Sequence, residues 1–213
     1  PPPPGPEIGI ANHSFEEPVL ADGQYNINDT PGWVGEGPQF HVANPQNDWF
    51  VGTSADSTEN PIDGSNIGGL NVGTTLYQDL TNVVKAGVTY KLTMLVGQRN
   101  GAPFGTPTVS LIGGGVVLAE ATPPAPDVGT FASFELTYNS PESGDVIGQT
   151  LRIQLRSAGA DAQAWFDDVK LTVGPTLPPP PPPGPDIAIA NHSFENPVLG
   201  DGLYTINNTP GWT

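Results

Sequence analysis

The 213-residue chain contains no cysteine and only six basic residues, which stand against 22 acidic ones and give a formal net charge of −16. Without cysteine, disulfides, thiolate metal sites and a cysteine nucleophile are excluded. So few cations cannot neutralise nucleic-acid phosphates or bind an anionic membrane surface. No apolar run approaches the roughly 20 residues that a membrane-spanning helix needs. We therefore expect neither a nucleic-acid partner nor membrane insertion.

Charged residues as a whole are scarce, at 13% of the chain, about half the usual share of about 25%. The polar surface must then come from Asn, Thr, Ser, Gln and Gly, which is typical of exported all-β proteins. We expect an extracellular or cell-surface location. Catalytic signatures are also missing: there is no nucleophile elbow, zinc-protease helix motif or phosphate loop. This pattern predicts a protein that is not an enzyme.

Glycine and proline, by contrast, are abundant at 27 and 26 residues, and part of that excess belongs to an internal repeat. Residues 180–213 repeat residues 1–34 at a constant offset, with 26 of the 34 positions identical. Proline-rich segments of this kind adopt polyproline II and act as semi-rigid spacers. We predict the end of a polyproline linker over 1–6, a complete β-sandwich over 7–173, a linker over 174–185 and the first strands of a truncated second repeat over 186–213.

The body of the chain shows alternating, β-branched segments separated by Gly, Pro and Asn clusters, with no helical periodicity. Strands at this spacing predict an all-β fold, a jelly-roll β-sandwich of about eight or nine strands, tandemly repeated with polyproline linkers. The predicted strands are Ile8–Phe15, Gln39–Ala43, Thr74–Thr81, Val88–Arg99, Thr106–Ile112, Val116–Ala121, Phe131–Tyr138, Thr150–Ser157 and Ala164–Val173.

Alternation along the last of these strands places an acidic side chain in the interior. If Lys170 faces water, Val169 and Leu171 face inward, and Asp167 lies on the inward side together with Trp165. A buried carboxylate needs a partner. That partner is a divalent cation, one of the arginines Arg152 and Arg156, or the backbone of a turn that the carboxylate caps.

Three motifs carry a family resemblance: Asn-His-Ser-Phe-Glu at 12–16 followed by Pro-Gly-Trp at 31–33, Leu-Tyr-Gln-Asp-Leu at 76–80, and Trp-Phe-Asp-Asp-Val at 165–169. In this order they resemble the calcium-stabilised, carbohydrate-binding-module-like (galactose-binding-like) jelly rolls found in tandem in exported bacterial surface proteins. The resemblance implies a structural Ca²⁺ that joins the first strand to the last. Its ligands would be the carboxylates of Glu16 and Asp167 and the backbone oxygen of Ser14, with Asp168 beside them.

Two further groups of residues are candidate sites. Asp22, Asn28 and Asp29 lie in an oxygen-rich loop that would suit a second metal ion, although such side chains also satisfy local backbone donors. Aromatic and amide or guanidinium groups suited to sugars occur elsewhere, and aromatic side chains of this kind also serve as core residues. These candidate glycan-binding residues are Trp49, Phe50, Tyr77, Gln98, Arg99 and Asn100.

Two functions follow from these features. The first is a calcium-stabilised, non-enzymatic subunit of an extracellular tandem-repeat fibre, stalk or matrix protein, whose partners are neighbouring copies of itself. The alternative is a carbohydrate-binding module, repeated for avidity on a secreted or cell-surface protein, with glycans as partners.

Overall fold

The computed structural model describes residues 5–53, 61–158, 162–176 and 196–204. The chain divides into two units, Pro1–Leu177 and Pro178–Thr213. Within the second unit the described residues form bends and a turn, in which the Leu203 N–H donates to the Gly200 oxygen. Most of the predicted linker and most of the second repeat lie outside the described residues.

The described part of the first unit contains twelve strands and no helix, and therefore no helix that is long and apolar enough to cross a membrane. The strands are β1 Glu7–Ile8, β2 Tyr25–Ile27, β3 Val34–Glu36, β4 Phe40–Ala43, β5 Ile67–Asn71, β6 Thr75–Val83, β7 Val88–Gln98, β8 Thr108–Gly113, β9 Val116–Ala121, β10 Thr130–Asn139, β11 Thr150–Arg156 and β12 Gln163–Pro175.

The strands form two antiparallel sheets. The larger sheet has the order β10-β7-β12-β5-β4-β2, with β1 also paired to β12. The smaller sheet has the order β3-β6-β11-β8-β9. The predicted all-β sandwich is confirmed, whereas the predicted number of strands is too low, because β2, β3 and β5 were not predicted.

The N-terminal strand prediction is wrong for most of its length. Pairing stops at Ile8, and the chain then turns at Asn12 and Phe15, whose φ angles of 48° and 59° are incompatible with an extended strand. The Asn12 side chain stabilises this turn by accepting from the Glu17 N–H and donating to the Pro31 oxygen.

The main core lies between the sheets, and the alternation of β12 changes partway along the strand. Ala164 and Phe166 face this core in the first half of the strand, whereas Val169 and Leu171 face it in the second half. The change occurs at a bulge, since Asp167 pairs with Leu95 but Lys170 pairs with Thr93. The predicted inward orientation of Val169 and Leu171 is confirmed.

The same bulge corrects the position predicted for Trp165. Because Trp165 precedes the bulge, it lies on the face of the larger sheet opposite to the main core. There it joins a second apolar cluster with Ala43, Phe50, Ile62 and Ile67. This outer face, partly covered by the segment 44–53, carries the cavity described next.

Candidate functional site

A cavity of about 280 Å³ opens on the outer face of the larger sheet. Strands β2, β4, β5 and β12 provide its floor, and Trp49 and Arg99 approach from the ends of neighbouring segments. Its volume is at the small end of the range for small-molecule sites. The lining residues that the structure describes are Tyr25, Ile27, Gln39, His41, Trp49, Asn71, Arg99, Gln163 and Trp165.

Aromatic rings form the walls of this cavity. The Trp165 ring lies 5.8 Å from that of Trp49 and 5.8 Å from the His41 imidazole, on which it stacks at 24°. Tyr25 extends the wall, with its ring centroid 6.5 Å from that of Trp49. These contacts between neighbouring rings make one side of the cavity aromatic.

A short chain of hydrogen bonds fixes the His41 imidazole. His41 Nε2 lies 3.3 Å from Asn71 Oδ1, and Asn71 Nδ2 donates to Gln39 Oε1 at 2.5 Å. Because Asn71 uses its oxygen toward the imidazole, His41 carries its proton on Nε2 in the neutral form. Nδ1 then holds the lone pair and is the atom that can accept a proton.

The surroundings of His41 favour this neutral form. Burial lowers the pKa of His41 below its ordinary value of 6.5, and the positive charge of Arg99 acts in the same direction. The hydrogen bond with Asn71 opposes both effects. At neutral pH the imidazole is therefore a base rather than a cation.

Arg99 is the one cationic side chain among the described lining residues, and none of those residues is a carboxylate. Its guanidinium carbon lies 3.9 Å from the centroid of the Trp49 ring. Nη1 approaches Gln163 Oε1 at 3.5 Å, the limit of a hydrogen bond. The cavity is thus apolar on its walls and positive at one side.

The cavity continues into a second hollow of about 340 Å³. Gln39, Asn71 and Gln163 line both spaces. A ligand with an aromatic ring and a substituent can therefore meet rings on one side and amide groups on the other.

The structure brings some of the predicted glycan-binding residues together and separates others. Trp49, Arg99 and Asn100 are neighbours, since Asn100 donates to the Asp48 oxygen beside Trp49. Phe50 is buried in the second apolar cluster. Gln98 lies on β7, opposite Thr130 of β10. Tyr77 lies on the other sheet, beneath Arg152.

The predicted calcium ligands lie around the loop 61–66. Asp167 is fully buried, and its Oδ2 accepts from the Asp63 N–H at 2.7 Å. The Glu16 carboxylate accepts from the Ser65 and Asn66 N–H groups at 2.9 and 2.8 Å. Ser14 is also buried, and the backbone oxygen of the preceding residue, His13, accepts from the Val169 N–H. One loop thus contacts both predicted carboxylates.

Asp167 is incompletely satisfied in this arrangement. Its Oδ1 is buried and has no hydrogen-bond partner among the described residues. Burial raises the pKa of Asp167 from 3.8 to about 8, although the N–H groups of Asp63 and Asp168 act in the opposite direction. Neither arginine considered as an alternative partner lies in an ion pair with it, and Arg152 instead binds Asp79 at 2.7 Å. A buried, unpartnered carboxylate oxygen fits a hard divalent cation.

A second set of potential metal ligands lies beside Asp167. Within the part of the chain that the structure describes, His13, Asp63 and Asp168 place one ligand atom each within 4.8 Å of one another. Asp168 also receives the Lys170 ammonium at 2.5 Å. This His/Asp/Asp group is a candidate metal-binding group. Asp168 was predicted from the sequence as a metal ligand, whereas His13 and Asp63 were not.

The predicted second metal loop is held by its own hydrogen bonds. Asn28 Oδ1 accepts from the Phe40 N–H, and Asp29 Oδ2 accepts from the Asn26 amide. Asp22 is exposed. Metal binding by this loop stays a prediction.

Sequence reasoning missed His41, Asn71 and Gln163 in the cavity and assigned Trp165 to the core. A signal for His41 exists, since it alternates with Phe40 and Val42 on a predicted strand and must point away from them. For Trp165 the bulge, which no sequence signal marks, decides the face.

The fold is a β-sandwich similar to that of carbohydrate-binding modules, with a cavity on the outer face of one sheet. The xylan-binding CBM22-1 domain from Paenibacillus barcinonensis Xyn10C matches with a TM-score of 0.50 at 16% identity, over 82% of this chain and 98% of that one. The Stig cyclase Fisc from Fischerella sp. TAU, bound to (3Z)-3-(1-methyl-2-pyrrolidinylidene)-3H-indole, matches with a TM-score of 0.71 at 24% identity, over 81% and 100%.

A cyclase from Fischerella sp. TAU in complex with 4-(1H-indol-3-yl)butan-2-one matches with a TM-score of 0.69, again at 24% identity, over 81% of this chain and 100% of that one. No curated protein sequence matches the chain. The HpiC1-like family model, described as HpiC1 cyclase, matches residues 6–172. The chain therefore belongs to the HpiC1-like family.

This membership corrects the predicted function. A family of cyclases contradicts both the non-enzymatic fibre subunit and the alternative of a repeated carbohydrate-binding module. The prediction that the chain is not an enzyme is wrong for the same reason. Its basis was the absence of hydrolase and nucleotide-binding motifs, and a cyclisation that needs only a shaped aromatic cavity and a proton carrier leaves no such motif.

Proposed function

We propose that this domain is a cyclase that acts on an indole-type small molecule in the cavity of the larger sheet. The observation that carries the proposal is the match of the HpiC1 cyclase family model to residues 6–172. The cavity supports it, because the aromatic side chains of Trp49 and Trp165 are among its lining residues. The two Fischerella cyclases bind indole ligands.

The chemistry assigned to the chain's own residues is positioning and proton transfer. An isomerising cyclisation of an alkenyl-substituted indole adds a proton to the alkene and forms the carbon–carbon bond between the resulting cation and an unsubstituted ring carbon. The proton added to the alkene comes from solvent, and aromaticity is restored when the ring carbon loses its own proton. His41 is suited to accept it, because its neutral form carries a lone pair on Nδ1 while Asn71 holds Nε2. The rings of Trp49 and Trp165 hold the substrate in a folded, reactive orientation.

A pair of variants tests the proposal. Substrate turnover is followed by chromatography with mass detection, since a cyclisation changes retention but not mass. We expect His41→Gln to bind 4-(1H-indol-3-yl)butan-2-one within a few-fold of the unsubstituted protein and to lower the rate of cyclisation of alkenyl-substituted indoles by about 10²–10⁴. Trp49→Ala should weaken binding of the ketone by about tenfold, measured by calorimetry.

His192→Gln is the matched control, since it removes a histidine outside the family-matched residues. Tyr77→Ala removes an aromatic ring from the other sheet. Both variants should behave like the unsubstituted protein. Absence of indole binding and of any isomerised product across a panel of alkenyl-substituted indoles would contradict the proposal.

We propose in addition that Glu16 and Asp167, with the backbone oxygen of Ser14, bind a structural Ca²⁺. The support is the buried Asp167 Oδ1, which has no donor among the residues that the structure describes, together with the hydrogen bonds from the loop 61–66 to both Asp167 and Glu16. Such an ion would supply the counter-charge that the buried carboxylate lacks. The His/Asp/Asp group next to it belongs to the same region of the fold.

The tandem arrangement and the location of the protein remain proposals. The near-identity of residues 180–213 to residues 1–34 supports a second copy of the jelly-roll domain joined through the proline-rich segment 174–185. The low content of charged residues supports an extracellular or cell-surface location.

A further inference from the structure

The charge of the cavity is unusual for this chain. The protein carries 22 acidic residues and six basic ones, yet the described lining of the cavity contains a guanidinium and no carboxylate. An acidic protein that places one of its few cations in an apolar cavity has concentrated positive potential there.

The other basic residues are either paired with an acid or exposed. Lys91, Arg152 and Lys170 bind carboxylates at 2.8, 2.7 and 2.5 Å. Lys85 and Arg156 are exposed to solvent. Arg99 is half-buried, and no carboxylate of the described residues lies within 4.0 Å of it. Arg99 is thus a half-buried cation that has no acidic partner among the described residues.

The hydrogen-bonding capacity of Arg99 is incompletely used. With the guanidinium carbon 3.9 Å from the Trp49 ring centroid, the ring covers one face of the cation. Nη1 has only the long contact to Gln163, and Nε is buried without an acceptor among the described residues. A planar acceptor with two oxygens matches such a group best.

Resting on the proposed function, we propose that the substrates of this cavity are aromatic carboxylates. The aromatic ring lies against Trp49 and Trp165, and the carboxylate binds the Arg99 guanidinium. Because His41 is neutral, Arg99 supplies the counter-charge among the described lining residues. An amine-bearing ligand is disfavoured by repulsion from the same guanidinium.

Two nearly isosteric ligands test this inference. The probe 3-(1H-indol-3-yl)propanoate differs from 4-(1H-indol-3-yl)butan-2-one by an anionic oxygen in place of a methyl group. By calorimetry at low ionic strength we expect the carboxylate to bind the intact chain at least about tenfold more tightly than the ketone. Raising the salt concentration should narrow this preference.

Arg99→Gln should remove the preference for the carboxylate. It should weaken binding of 3-(1H-indol-3-yl)propanoate and change the affinity for the ketone by no more than a few-fold. Arg99→Lys keeps the charge without the planar fork and should retain part of it. Arg156→Gln, which removes one exposed positive charge on the other sheet, should leave the preference unchanged. Melting curves confirm that each variant is folded.

The outcomes separate the two proposals. Equal affinity for the two ligands, or equal weakening of both by Arg99→Gln, would overturn the carboxylate inference while leaving the indole cavity intact. If neither ligand binds, or if Trp49→Ala changes neither affinity, the cavity itself is wrong and both proposals fall.

Discussion

His41 illustrates how a residue acquires its chemistry from its neighbours. In the sequence it is one of three histidines and belongs to no motif. In the structure it stacks on Trp165, contacts Asn71 and lies near the positive charge of Arg99. The contact with Asn71 fixes its tautomer, whereas burial and the charge of Arg99 favour its neutral form, which is what a proton acceptor at neutral pH requires.

We expect the His41 imidazole to titrate below pH 6.5 in the folded protein, as measured by NMR. Since the folded pKa lies below the unfolded value, the unfolded chain binds more protons in the window between them. The contribution of His41 to the free energy of unfolding is therefore complete above about pH 6.5 and is lost as the pH falls toward the folded pKa.

The Arg99→Gln variant provides the internal check on this titration. Removal of the positive charge should raise the pKa of His41, whereas Arg156→Gln should not change it. Besides His41 and Arg99, the described lining residues include one other titratable side chain, that of Tyr25. An imidazole that titrates at or above pH 6.5 would contradict this explanation of the neutral base.

Strand β5 shows how the needs of packing override local preference at the scale of an element. Its sequence, Ile-Gly-Gly-Leu-Asn, is a poor strand former because of the two glycines. A Cβ atom at Gly68 would lie 2.5 Å from the Phe15 ring, and one at Gly69 would lie 2.6 Å from the Trp165 ring. The two glycines therefore let one strand accept an aromatic ring on each face.

Gly69→Ala should destabilise the domain by about 1–3 kcal/mol, because the added methyl group meets the rigid ring of Trp165. The displaced ring also lines the cavity, so affinity for 4-(1H-indol-3-yl)butan-2-one should fall in parallel. Chemical denaturation measures the first effect and calorimetry the second.

Gly9→Ala is the matched control for this substitution, because a Cβ atom there has no neighbour within 4 Å. It should leave both the stability and the ligand affinity unchanged. An equally stable Gly69→Ala variant with unchanged affinity would show that Trp165 moves without cost and that its position does not define the cavity.

At the scale of the whole sandwich, hydrogen bonds from residues distant in sequence hold the segment that follows β1 in place. Gln78 exchanges hydrogen bonds with Ala11 and donates to the Gly32 oxygen. The Asn66 amide donates to the Phe15 and Pro18 oxygens. The same N-terminal sequence recurs at 180–213.

The proposed Ca²⁺ should stabilise the whole domain, because its ligands join the N-terminal segment to β12. At a free concentration about 100-fold above its dissociation constant, the ion should raise the melting temperature by on the order of 5–10 °C relative to chelated protein. Asp167→Asn should abolish this difference.

Asp145→Asn, a substitution of an exposed aspartate, should preserve the calcium-dependent rise in melting temperature. A melting temperature that does not respond to Ca²⁺ or to chelator would rule out a structural ion at Asp167. A response that survives Asp167→Asn but is lost in Asp63→Asn would place the ion in the His/Asp/Asp group instead.

The sequence by itself determined the class of fold and most of its strands. Alternating β-branched segments predicted β7, β9 and β11 almost to the residue, because each has one face on the core. The family resemblance implied that Glu16 and Asp167 share a metal site, which stays a prediction, and both carboxylates accept hydrogen bonds from the loop 61–66. The short strands β2 and β3 and the glycine-containing strand β5 were not predicted, since their stability comes from partners distant in sequence.

The cavity was decided only by the tertiary structure. A bulge at Asp167 reverses the alternation of β12 and turns Trp165 to the outer face, where β4 presents His41 and the segment 44–53 presents Trp49. Trp165 is far from His41 and Trp49 in sequence, and no local pattern records a one-residue bulge. The aromatic walls, the neutral imidazole and the Arg99 guanidinium exist as a site only because antiparallel pairing brings β12, β4 and the end of β7 together.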